Sequence, residues 1–162
     1  MNAWTADGYI MDQDALTGYE YRTIDASRNG CGPIAVYNIL RALGRDADFG
    51  AVVKELDGLH RMHRPGPTAM NAMRAYFAIH LPEMREHSGR AAALEAARTC
   101  RMGVLRYTEE RIPHFVSFLR QEGGGYRFFN VNTGMEDYVC SMEMFFADHV
   151  GTGQYVSVFT LE

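Results

Sequence analysis

Gly30-Cys31-Gly32-Pro33-Ile34-Ala35-Val36-Tyr37-Asn38-Ile39-Leu40-Arg41-Ala42-Leu43-Gly44 is the stretch on which the fold turns. Val36, Ile39, Leu40 and Leu43 recur at helical spacing and mark a buried face, and Gly44 is a C′ stop. Pro33 suits the first helical turn, where a missing N–H costs nothing. A helix starting here sets Cys31 against backbone N–H groups that lack an intrahelical acceptor, at the positive end of the helix dipole. Both favour the thiolate, the reactive form of cysteine. Gly30 and Gly32 leave the sulfur uncovered and let a substrate backbone come close. The tetrapeptide Gly30-Cys31-Gly32-Pro33 therefore predicts a cysteine nucleophile at a helix start.

Upstream of the helix, Asp25 to Gly30 reads as a loop of turn formers. Tyr19, Tyr21 and Thr23 alternate with Gly18, Glu20 and Arg22, a short-strand pattern. Residues 1–17 are mixed and polar and read as an N-terminal arm. Downstream, Asp48 to Leu59 predicts a second helix, with Asp46 or Asp48 as cap and Val52, Val53 and Leu56 inward. Arg64-Pro65-Gly66-Pro67 is a break. A third helix over Thr68 to Ile79 carries Met70, Met73 and Phe77 on one stripe. An alanine-rich fourth, Ser88 to Thr99, has Ser88 as its cap.

Past Cys100 the pattern changes to strands. Gly103 to Tyr107, His114 to Leu119, Tyr126 to Val131 and Tyr155 to Leu161 read as strands, with Gly123-Gly124-Gly125 turning the middle pair into a hairpin. Ser141 to His149 is a short amphipathic helix. Helices first and antiparallel strands last predict an α+β fold in one domain over residues 1–162.

The composition narrows the function. The chain has 162 residues, 47% hydrophobic and 22% charged, which suits a globular domain with a real core. A net charge of −4 with no basic stripe argues against a nucleic-acid partner. The apolar runs are too short for a membrane span, and the N-terminal residues lack a signal-peptide pattern. The three cysteines, Cys31, Cys100 and Cys140, are odd in number and widely spaced, so neither a disulfide framework nor a zinc or redox motif is expected. A reducing, cytoplasmic setting is the simpler reading. Cys100 and Cys140 read as packing residues. His60 and His63 share a helical face at i, i+3, but no third ligand accompanies them and Arg61 and Arg64 crowd the pair, so no metal is expected. The triple glycine lacks a following Lys-Ser/Thr and is a turn, not a phosphate loop. The ten methionines read as core fillers, and no cofactor is called for.

A thiolate nucleophile needs a base, and the base needs an orienting group. Among the histidines, His114 is best placed, opening a strand directly after Arg111-Ile112-Pro113. Strand alternation puts Asn130 and Asn132 on one face of the next strand, and periodicity alone does not choose between them as the partner of the imidazole. Asn132-Thr133-Gly134 is also a turn signature.

Asn29-Gly30-Cys31-Gly32-Pro33-Ile34-Ala35 resembles the nucleophile motif of papain-like cysteine peptidases, nearest to the branch that includes the bacteriocin-leader (double-glycine) peptidase domains. His114-Phe115-Val116-Ser117-Phe118 resembles that family's histidine strand, and Val104-Leu105-Arg106-Tyr107 the strand before it. Tyr126-Arg127-Phe128-Phe129-Asn130 resembles the strand that follows. The likeness runs from about Asp25 to Asn132. It implies a papain-like fold: an N-terminal helical half with the nucleophile at a helix N-terminus, and a C-terminal antiparallel sheet. It implies a thiol peptidase or amidohydrolase with a catalytic triad of Cys31, His114 and Asn130, Asn132 being the alternative third residue. The substrate would be a peptide or amide, and there is room for a protein or fusion partner.

One departure stands out. The family carries a glutamine several residues before the cysteine, which donates to the oxyanion. Here the matching region holds Asp25, whose carboxylate would repel an oxyanion and oppose thiolate formation. Asn29 beside the Cys31 N–H, or Gln13 folded back from the arm, are the candidate oxyanion donors. Two other readings stay open: a non-hydrolytic acyltransferase, and a catalytically silent papain-like module that binds a peptide in its cleft.

Overall fold

A computed structural model describes residues 2–132, 134 and 137–162. The N-terminal residues are not an arm. Trp4 and Ile10 form an antiparallel bridge, and Ala3, Ile10, Met11 and Leu16 are buried. A single 3-10 turn, Gln13–Ala15, follows under an Asp12 cap, whose side chain accepts from the Asp14 N–H at 3.1 Å. The apolar residues of this segment have no helix or strand period, so nothing local announces their burial. A distant side chain organises them: Asn38 bonds both the N–H and the C=O of Ile10 at 2.9 Å and reaches the Ser117 hydroxyl at 3.2 Å.

Next come two short strands, β1 (Glu20–Tyr21) and β2 (Ile24–Asp25), joined by Arg22 and Thr23 at φ 50° and 71°. Two successive left-handed residues make a tight hairpin turn, which cuts short the strand that the Tyr19–Thr23 alternation predicts. Asp25 then caps a one-turn helix, α1 (Ala26–Asn29), where the turn-forming residues predict a loop. Its Oδ1 accepts from the Ser27 N–H at 3.0 Å and its Oδ2 from the Gly18 N–H at 2.9 Å.

The helix α2 (Cys31–Ala42) follows at once, and Gly44 sits at φ 70° as its C′ residue. Every residue from Cys31 to Leu40 is buried, so this helix is apolar-facing all round and runs through the centre of the fold. Against it pack α3 (Phe49–Gly58), capped by Asp48 to the Ala51 N–H at 2.8 Å, and α4 (Met70–His80). The latter starts two residues later than the sequence predicts, because Thr68 is drawn into the core by a 2.6 Å bond with the Tyr21 hydroxyl.

A six-stranded antiparallel sheet occupies the C-terminal half, in the order β3-β8-β4-β5-β6-β7: β3 (Arg85–Ser88), β4 (Met102–Glu109), β5 (Ile112–Arg120), β6 (Tyr126–Phe129), β7 (Val139–Cys140) and β8 (Ser157–Leu161). Two edge strands are additions to the sequence reading. Ser88 pairs with Ser157 in β3 instead of capping a helix, and α5 (Arg90–Thr99) starts after Gly89 at φ 91°. β7 pairs with β6.

Strand alternation splits the sheet's apolar residues between two faces. Val104, Phe115 and Phe159 face the α2 core, whereas Leu105, Val116, Phe118 and Phe128 face α5 and the Ser141-capped α6 (Met142–His149). The molecule is thus α+β, with helices mostly in the N-terminal half. No described helix is long and apolar enough to cross a membrane.

Candidate active site

The glycines around Cys31 serve close packing. A Cβ on Gly30 would run into the Ala26 carbonyl, and one on Gly32 into the Thr68 hydroxyl. Their absence lets α1 abut α2 and lets the Thr68 segment lie against the start of α2. The sulfur is not laid bare as the flanking glycines predict: Cys31 is only 5% exposed. It nevertheless lines a cleft of about 490 Å³, whose walls include His114, Asn130, Asn132, Asn29 and Gln13. The fold thus collects around one opening every residue that the sequence nominates for the chemistry.

His114 is the third residue of β5. Its Nε2 lies 2.8 Å from the main-chain oxygen of Asn130. A carbonyl only accepts, so Nε2 carries the hydrogen and Nδ1 is left for the sulfur. The ring stands edge-on to the buried Tyr107, with centroids 5.7 Å apart at 88°. Burial pushes the Cys31 thiol up, but the His114 hydrogen bond and positive charge, helped by the Phe115 and Gly32 backbone, outweigh it and hold the thiol below its usual pKa. Burial likewise pushes His114 down, and the hydrogen bond and charge of Cys31 lift it above its usual value. The two groups stabilise each other as thiolate and imidazolium.

The β5–β6 ladder explains how Asn130 meets the imidazole. Its first pair is Ser117 with Phe129, and straight continuation would set Asn132 opposite His114. Instead the strand stops at Phe129 and Asn130 turns to φ 62°, where asparagine is among the few tolerated non-glycine residues. Asn130 therefore reaches His114 through its carbonyl, not through the side-chain amide that the resemblance implies. Asn132 lines the cleft beside it. Thr133, the middle of the expected Asn132-Thr133-Gly134 turn, lies outside the described residues.

The side chain of Asn130 goes to Gln13. Its Oδ1 accepts from the Gln13 N–H at 2.9 Å, and its Nδ2 donates to Gln13 Oε1 at 3.2 Å. Gln13 Nε2 in turn donates to the Ser27 carbonyl at 3.2 Å and, among the described residues, keeps a second N–H without an acceptor. Asp12 secures the same segment by accepting from the Gly134 N–H at 3.2 Å. Asn29, the other oxyanion candidate, has no donor to offer. Both hydrogens of its Nδ2 are spent, on the Tyr21 and Gly66 carbonyls at 3.0 Å, and its Oδ1 is buried without a partner. Asp25 is not a wall of the cleft, because its carboxylate is occupied in capping α1.

The remaining candidates lie outside the cleft lining. Burial pushes the Cys100 thiol up to about 12 and raises that of Cys140. α3 ends at Gly58, so His60 and His63 do not share a helical face. His60 accepts from the Ala69 N–H at 3.0 Å and bonds the Leu56 carbonyl at 2.9 Å, which occupies both ring nitrogens. Among the described residues no group of three His, Cys, Asp or Glu side chains is arranged to hold a metal. Sequence reasoning missed Tyr107 and the Asn130 carbonyl. An asparagine closing a β-strand is a weak signal for a left-handed turn, but nothing local says which group its carbonyl will meet. No family model, curated protein or solved structure matches the chain.

Proposed function

We propose that this protein is a cysteine-nucleophile acyl-transfer enzyme of papain-like arrangement, acting as a thiol peptidase or amidohydrolase. The observation that carries the reading is the placement of the Cys31–His114 pair: both line one cleft, Cys31 at the N-terminus of a buried helix and His114 with its Nε2 held by the Asn130 carbonyl, and each group favours the charged form of the other against the effect of burial. The Cys31 thiolate attacks the substrate carbonyl carbon, and the carbonyl electron pair moves onto oxygen. The Cys31 N–H at the helix start and the second N–H of Gln13 Nε2 are the donors for that oxyanion. The imidazolium gives its proton to the leaving amine as the C–N bond breaks, leaving a thioester on Cys31. Water then attacks the thioester and His114 takes its proton; the acid departs and the thiolate–imidazolium pair is restored.

The silent-module reading drew its support from Asp25 in the glutamine's place. Asp25 capping α1 outside the cleft lining and Gln13 within it favour the enzyme over that reading. The test is competitive labelling of the folded protein with iodoacetamide, read by peptide mass spectrometry. Cys31 should react well ahead of Cys100 and Cys140 and lose that lead in His114→Ala. Equal, slow labelling of all three cysteines overturns the proposal.

A further inference from the structure

In papain-like chemistry the third residue is expected to hold the histidine with its side chain, but here that side chain faces the other way. We infer that Asn130 is a positioning residue with two separate duties: its backbone carbonyl orients His114, and its side-chain amide locks Gln13 as the oxyanion donor. The inference rests on the cysteine-nucleophile reading and adds a division of labour within the same site.

The direction of the amide chain is fixed at both ends. Asn130 Oδ1 receives a main-chain N–H, which only donates, so Nδ2 must point at Gln13 Oε1. The Ser27 carbonyl only accepts, so the nitrogen of Gln13 must face it. Neither amide can be flipped without losing a bond at each end. Gln13 is thereby held on three sides, through its backbone N–H, Oε1 and Nε2, while one N–H has no acceptor among the described residues, in a cleft shared with Cys31. A glutamine held only by its own backbone would lose side-chain rotamer freedom on each turnover, and the clamp removes that cost.

The φ of 62° accounts for the other duty. It turns the Asn130 carbonyl toward His114 at 2.8 Å while the side chain leaves toward the N-terminal segment. One residue thus joins the β6 end, which holds the base, to the Gln13–Ala15 turn, which holds the oxyanion donor. Asparagine is suited to both duties: it tolerates the left-handed backbone and carries one acceptor and one donor.

Two reagents separate the duties. Iodoacetamide alkylation reads the thiolate and develops no oxyanion, whereas acylation by p-nitrophenyl acetate passes through one. Asn130→Gly keeps the left-handed turn and deletes the amide. It should leave the pH midpoint of Cys31 alkylation in place and lower the acylation rate by about tenfold or more, short of the ~10²–10³ typical of losing an oxyanion donor outright. Gln13→Ala should show the same split with a larger loss, and the double variant should be no slower than Gln13→Ala alone. A shift of the alkylation midpoint in Asn130→Gly, or acylation unchanged in Asn130→Gly or Gln13→Ala, overturns the inference. Should Asn130→Gly fail to fold by circular dichroism, the Gln13→Ala arm decides alone. If the unsubstituted protein is not acylated at Cys31, it is the acyl-transfer proposal itself that has failed, a result distinct from either variant's.

Discussion

The Cys31–His114 pair makes reactivity depend on pH in a definite direction. Cys31 titrates below its usual value, so the stability its thiolate contributes is present above the unfolded thiol pKa and is lost as pH falls through the folded one. His114 titrates above its usual value, so its contribution is present below the unfolded imidazole pKa and is lost as pH rises through the folded one. Acyl transfer needs both charges and should follow a bell whose limbs belong to the pair. The acid limb of Cys31 alkylation should lie below the ordinary thiol range. Removing the imidazole in His114→Ala leaves only the Phe115 and Gly32 backbone to oppose burial, which should move the limb up and slow alkylation at neutral pH by about tenfold or more, one pKa unit being tenfold in thiolate. An acid limb unmoved by that substitution would contradict the pairing. Gly32 is a second single-residue case. Gly32→Ala drives a Cβ into the Thr68 hydroxyl, which the Tyr21 hydroxyl holds in place. An overpacking cost of about 1–3 kcal/mol is expected, seen as a lower urea midpoint at unchanged slope.

At the scale of elements, α1 and the end of β6 carry most of the difference between sequence and structure. The residues from Asp25 to Asn29 alternate turn formers (Asp25, Ser27, Asn29) with good helix formers (Ala26, Arg28), and a four-residue helix has no period to detect. Only the cap, Asp25 to the Ser27 N–H, marks its start. Asp25→Ala should cost about 1 kcal/mol, the usual magnitude for a lost N-cap. The Ser27 side-chain hydrogen bond first, and then the Gly18 and Ser27 N–H groups, hold the carboxyl below its usual range. The stability gap between wild type and variant should therefore shrink as pH falls through the folded pKa of Asp25. Cys31 alkylation should be unaffected. Faster alkylation in Asp25→Ala would restore the carboxylate to the site and count against the cap assignment. The helices α3 and α4 were legible because each buries a periodic face, and α2 and the central strands β4, β5 and β8 because they are apolar-rich runs, buried on more than one face. The two-residue strands and the Asn130 turn were not, because hydrogen bonds to distant partners define them.

At the scale of the whole molecule, the site is assembled from segments far apart in the chain. The N-terminal segment supplies Gln13, α2 supplies Cys31, and the β5–β6 hairpin supplies His114 and Asn130. Asn38, in the middle of α2, ties the first of these to the other two through Ile10 and Ser117. Asn38→Ala should leave the Ile10 N–H and C=O buried without partners, at a cost of about 1–3 kcal/mol each. Amide hydrogen exchange should speed up from Ile10 to Leu16 while β4 stays protected, and acylation of Cys31 should fall with the loosened Gln13. Uniform exchange across both regions would show that the segment is not a separately opening unit.

The sequence alone determined the α+β order, the helix that begins at Cys31, and a cysteine and histidine whose residue types suit nucleophile and base. Those features are written in local periodicity, in a proline and glycine at a helix start, and in the spacing of strand signals, all of which act between near neighbours. The tertiary structure alone decided that the N-terminal residues fold onto the body, that Gln13 and not Asn29 has a donor to spare, and that Asn130 presents a carbonyl to His114 and its amide to Gln13. The physical reason is that these outcomes depend on which buried polar groups already have partners. That accounting closes only when segments more than a hundred residues apart, such as Gln13 and Asn130, lie side by side.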